Sequence, residues 1–157
     1  MTGTCTILVC GDPSRGDDGA AIAAISRLPA DVALGVTVRT VGRLEADELA
    51  AATRLGPCLV LDAVRGVEPG TIVELPLADL LADDAPTPAT SHAVPFALVV
   101  GLAEALGADL ADATFLGIGG QDFTLGAALS WPVRTGLDDF ARRVAWAVRE
   151  GSAGACA

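Results

Sequence analysis

Short apolar runs alternate with amphipathic segments along this 157-residue chain. Thr6–Cys10, Val36–Val41, Cys58–Leu61, Thr71–Leu75 and Thr114–Ile118 are short, apolar or β-branched, and predict strands. Asp17–Leu28, Ala46–Leu55 and Val94–Leu106 predict helices between them. The clearest periodicity lies near the C-terminus, where Leu137, Phe140, Ala141, Val144, Ala145 and Val148 form one continuous stripe and Asp138, Asp139, Arg142, Arg143 and Arg149 take the other face. Alternating strands and helices imply βαβ units. The expected fold is therefore a single-domain three-layer α/β/α sandwich on a mainly parallel, about five-stranded twisted sheet. The expected domain covers residues 1–150, with 151–157 a frayed tail. Prolines at 86 and 88 exclude a helix there and predict an exposed loop over 83–90.

Composition removes several classes of function. Twenty acidic residues against ten basic ones give a net charge of −10, which argues against nucleic acid and anionic membranes as partners. No apolar run is long enough for membrane insertion, and the first apolar segment follows no basic region, so the chain is expected in the cytoplasm. The four cysteines show no Cys-x-x-Cys spacing and read as reduced core fillers. The chain has no Lys and no Tyr, which excludes Schiff-base chemistry and lysine-assisted phosphoryl transfer.

The candidate chemistry begins in the loop Gly11-Asp12-Pro13-Ser14-Arg15-Gly16-Asp17-Asp18-Gly19, directly after the first predicted strand. Open α/β sheets place ligands at the C-terminal ends of their strands. Fixed negative charge there would repel a phosphate and attract a cation. Asp62 follows the apolar run Leu59-Val60-Leu61, and Ser91-His92 falls where the proline-rich loop gives way to a helix. Each has an ordinary structural explanation: Asp17 and Asp18 as first-turn helix acids, Asp62 as a turn former, and His92 as a surface or capping residue. A parallel sheet, however, brings the ends of its strands to one edge, and there the set reads as a site. Two carboxylates and a neutral imidazole match a divalent ion such as nickel or zinc. The residues leave open whether Asp17 or Asp18 is the ligand.

The string Gly11–Gly19, the strand ending in Asp62, Ser91-His92 before a helix, and the late segment Gly126-Ala127-Ala128-Leu129-Ser130-Trp131-Pro132-Val133 together resemble the hydrogenase maturation proteases. These endopeptidases trim the large subunit of nickel-iron hydrogenases. The resemblance covers nearly the whole chain. It implies that Asp18, Asp62 and His92 take the three metal-contact positions and serve as the catalytic residues. Asp18 stands where relatives often carry Glu, Asp12 where Asn is usual, and Gly119-Gly120-Gln121 where many have Glu-Pro.

By that resemblance, the substrate is the precursor of a nickel-iron hydrogenase large subunit. Nickel arrives with it, and a C-terminal peptide is removed once the metal is inserted. A Ser-His-carboxylate triad does not suit adjacent Ser91 and His92, whereas a metal-polarised carbonyl or a carboxylate-activated water fits the residues available. Arg15 would orient the loop or serve as a salt-bridge partner. Two rival readings are a nickel-dependent chaperone that binds the precursor without cutting it, and a receiver-like domain. The receiver reading lacks its lysine, and the acidic pair here lies several residues beyond the strand.

Overall fold

The computed structural model describes residues 3–92 and 94–154, without the side chains of Ser91, His92 and 152–154. Its strands are β1 (Cys5–Cys10), β2 (Val36–Gly42), β3 (Cys58–Arg65), β4 (Ile72–Pro76), β5 (Thr87–Pro88) and β6 (Ala113–Gly119). Its helices are α1 (Ala20–Ile25), α2 (Ala30–Leu34), α3 (Ala46–Leu55), α4 (Phe96–Ala105) and α5 (Trp131–Gly154). The sheet order is β2-β1-β3-β6-β4, with the short β5 on β3. β1, β2, β3 and β6 run parallel, while β4 and β5 are antiparallel to their partners.

Residue alternation along the strands separates the two apolar layers. Ile7, Val9, Leu59, Leu61, Leu116 and Ile118 face α1 and the stripe of α5. Leu8, Cys10, Val60, Val64 and Phe115 face α3 and α4. This is the expected three-layer sandwich, with six strands rather than five. The central strands are buried on both faces, which is why they read as continuous apolar runs.

Several local expectations change. The helix expected over 17–28 is a 3₁₀ turn, Gly16–Gly19, followed by α1, and the short α2 follows separately. Helix α4 starts at Phe96, after Pro95 in an extended conformation, because proline suits the entry to a helix and not its interior. Asp62 does not end its strand. β3 continues to Arg65 because β6 pairs with it as far as Val64 and β5 pairs with Val64 and Arg65. The loop over 83–90 is exposed only in part. Thr87–Pro88 form β5, and Pro88 and Ala89 are buried. The last helix runs on to Gly154, into the segment expected to fray, and residues 155–157 lie outside the described residues.

Candidate active site

The strand order creates a crevice. From β1 the chain crosses to β2 on one side, then returns past β1 to lay down β3 on the other. The β1–β3 boundary is therefore the topological switch point, where open α/β sheets bind ligands. The pairing of β1 with β3 ends at Val9 and Leu61, so the next residues, Cys10 and Asp62, stand where the two strands part. Asp62 shares the face of Val60 and Val64, the α3/α4 side, and is 1% exposed.

Asp18 reaches the crevice because the loop after β1 folds back on itself. Gly11 has φ +123°, and a Cβ there would lie 1.9 Å from the Asp18 carbonyl oxygen. No side chain fits that approach, and the conformation itself favours glycine. The Asp12 amide donates to Asp18 Oδ2 at 3.1 Å. The Asp12 side chain accepts from the Ser14 amide and hydroxyl, at 2.8 and 2.6 Å, which holds its carboxyl below the usual range. Arg15 Nε lies 3.8 Å from Asp12 Oδ2, both side chains half exposed, so Arg15 is a surface partner within the loop.

Asp17 points elsewhere. It is fully buried, and its carboxylate accepts three backbone N–H groups from the segment after β6: Gln121 at 2.7 Å and Asp122 at 3.0 Å on Oδ2, and Ser130 at 2.7 Å on Oδ1. Its own amide donates to the Asp122 carbonyl at 2.8 Å, and the Gly126 amide donates to Ser14 at 2.7 Å. Gly16 has φ +56°, and a Cβ there would lie 2.3 Å from that Asp122 carbonyl oxygen. Asp17 thus ties two loops together, with both carboxylate oxygens engaged in doing so. Between the adjacent acids, Asp18 belongs to the crevice and Asp17 to the scaffold.

Asp62 is held on both oxygens. The Ala63 amide donates to Oδ1 at 2.8 Å, while the Thr90 amide and hydroxyl donate to Oδ2 at 3.2 and 2.5 Å. Burial nevertheless pushes its carboxyl up to about 7, against those hydrogen bonds, and the charge of Asp18 adds to the rise. The Cys10 thiol is raised well above its usual range, chiefly by burial and then by the Asp62 charge, with a Thr90 hydrogen bond opposing. Below these groups lies a cavity of about 20 Å³, room for one water, lined by Cys10, Asp62, Thr90, Phe96 and Phe115 among others. Among the described residues no three His, Cys, Asp or Glu side chains form a metal-sized cluster. The His92 side chain lies outside those residues, and its backbone closes the 3₁₀ turn Ala89–His92 that also carries Thr90.

Sequence reasoning missed Thr90 and the Asp17 anchor. Thr90 immediately precedes Ser91-His92, and that adjacency was the available signal. Nothing in the sequence links Asp17 to amides more than a hundred residues away.

Two buried acids at the switch point of a mainly parallel sheet define a doubly wound α/β protein with an acidic crevice. No protein-family model and no curated protein sequence matches the chain. Solved structures do. The [NiFe] hydrogenase maturation protease HybD from Thermococcus kodakarensis aligns over 92% of this chain and 97% of its own, at 22% identity and TM-score 0.66. The hydrogenase maturating endopeptidase HybD from E. coli aligns over 96% and 93%, at 18% identity and TM-score 0.72. The endopeptidase HycI from Escherichia coli aligns over 93% and 90%, at 23% identity and TM-score 0.68. The chain has the fold of these hydrogenase maturation proteases over nearly its whole length. No helix among the described residues is long and apolar enough to cross a membrane.

Proposed function

We propose that this chain is an endopeptidase that removes a C-terminal peptide from the precursor of a nickel-iron hydrogenase large subunit after nickel insertion. The observation that carries the reading is the pairing of Asp18 and Asp62, both buried, at the switch point of a fold shared with named maturation proteases. Two carboxylates facing one crevice repel each other, and the Asp62 carboxyl is raised chiefly by burial and further by the Asp18 charge. A divalent cation relieves the repulsion. In this reading the cation is nickel, carried in by the precursor, and a precursor without nickel lacks the charge that neutralises the crevice.

Asp18 and Asp62 contact the metal or activate water, and His92 completes the metal contacts. The raised Asp62 carboxyl describes the crevice before the cation arrives, and a carboxylate not engaged in metal contact is suited to take a proton from water and return it to the leaving amine. Thr90 fixes Oδ2 of Asp62 and the Ala63 amide fixes Oδ1, which together set the orientation of the carboxyl.

The test is the intact mass of a nickel-loaded, C-terminally extended large subunit from the same cell, before and after incubation with the protein, beside a nickel-free control. Loss of one defined C-terminal peptide in the nickel-loaded sample alone is the expected result. Unchanged masses with a nickel-dependent complex would replace the protease with a chaperone.

A further inference from the structure

The two edges of the sheet are built differently. β4 closes one edge with five residues, ends at Pro76 and holds Glu74 in an ion pair with Arg143 on α5. β2 forms the other with seven residues, no proline, and Arg39 as its one charge. Short, charged or proline-bearing edges resist pairing with another chain, and β2 has little of that protection. Among the described residues β2 pairs only with β1, so a row of N–H and C=O groups faces outward along it. Thr37, Val38, Arg39 and Thr40 are exposed.

This edge leads to the crevice. A groove of about 480 Å³ lies between β2 and the start of α3, lined by Arg39, Thr40, Val41, Arg43, Glu45 and Glu48. Arg43 also lines the cavity beneath Asp62, together with Leu44. Groove and cavity lie on the same side of the sheet as the Asp62 side chain, since Val41 and Leu44 pack in the layer of Val60. Local geometry fixes the junction. Gly42 has φ +67°, and the Arg43 amide donates to the Val41 carbonyl at 2.7 Å. The Gly42 carbonyl accepts the Gly11 amide at 2.6 Å, which ties the end of β2 to the acidic loop. Glu48 and Glu45 pair with Arg39 and Arg43 at 2.9 and 3.2 Å, so the groove is balanced in charge where the crevice is acidic.

Open backbone groups along an edge recognise an extended chain. A second copy fits poorly. Antiparallel pairing of β2 with itself over its full length sets Arg39 opposite Arg39 and joins two chains of net charge −10. A segment already held at the crevice reaches the edge readily. Strands lie about 4.8 Å apart, so the path from the β1–β3 boundary to a strand added outside β2 is about 12 Å, or about four extended residues. We propose that the segment to be removed from the precursor leaves the crevice past Arg43 and pairs antiparallel with β2 as an added edge strand. The proposal rests on the protease reading. Because main-chain bonds carry the pairing, binding tolerates changes in the segment's sequence and depends on its length.

The experiment compares two nickel-loaded large subunits, one with its full C-terminal extension and one cut to about four residues beyond the scissile bond, the reach worked out above. The expected result is KM raised about tenfold or more for the cut subunit with kcat kept, since the cut removes the paired stretch and leaves the scissile bond. Amide hydrogen exchange of the Asp62→Asn variant, in which the bound segment stays uncleaved, locates the contact. Amides of β2 should exchange about tenfold more slowly with the full extension than with the cut one, as expected for newly paired strand groups. Equal KM for the two subunits, with equal β2 exchange, would overturn the proposal and leave the protease reading intact. Equal slowing of β2 by both subunits would assign the edge to the folded body of the precursor. Slowing of β2 without any subunit, in a parent of dimeric mass, would assign it to a second copy, and either result overturns the proposal. A parent that neither binds nor processes the full-length subunit would overturn both readings.

Discussion

Replacing Asp17 separates the scaffold acid from the crevice acid. Its carboxylate accepts three backbone N–H groups, two on Oδ2 and one on Oδ1. In Asp17→Asn the amide oxygen can keep the pair from Gln121 and Asp122, but the NH₂ then faces the Ser130 amide, donor against donor. Losing one charge-assisted bond and weakening two costs about 2–3 kcal/mol. Asp17→Ala leaves all three donors without the carboxylate. Water reaching the partly exposed loop limits that cost to about 3–5 kcal/mol, a large part of the stability of a domain this size. Urea unfolding at pH 7 reads the loss. Amide hydrogen exchange reads its place, because protection should fall at Gln121, Asp122 and Ser130 while the β3 and β6 amides keep theirs. If Asp17→Asn unfolds at the parent's urea midpoint with those three amides still protected, the anchoring role is wrong.

Stability should also depend on pH through Asp62. Its carboxyl stands at 3.8 in the unfolded reference and near 7 when folded. The folded state therefore holds the proton more tightly, and stability falls as pH rises from about 4 to about 7. About three pH units at 1.36 kcal/mol each bound the loss at about 4 kcal/mol, and Asp62→Asn should flatten the profile of urea midpoint against pH. Gly11→Ala drives a Cβ into the Asp18 carbonyl at a backbone angle alanine avoids, so it should cost about 3 kcal/mol or more in urea and abolish processing; a functional Gly11→Ala enzyme would contradict the fold-back of the loop. Thr90→Val removes the 2.5 Å hydroxyl bond to Asp62, which should move the acidic limb of the kcat/KM profile upward by about one pH unit.

The sequence by itself determined the layers. β1, β3 and β6 are built on apolar runs because both faces are buried, α5 shows its stripe because one face is, and α3 occupies the predicted span Ala46–Leu55. It also placed the acidic loop after a strand, since glycines at 11, 16 and 19 mark where the backbone must turn or approach closely. Tertiary structure decided what local patterns do not encode. Asp17 and Asp18 are chemically identical neighbours, and only the return of the segment 121–130 onto one of them distinguishes anchor from crevice. Asp62 looked like a strand end because its polarity interrupts an apolar run; the partners that carry β3 onward, β5 and the end of β6, lie far along the chain. Its elevated carboxyl likewise depends on burial and on Asp18, both products of packing. Periodicity reports which face of an element is buried, whereas the pairing of distant groups is set by the path the chain takes between them.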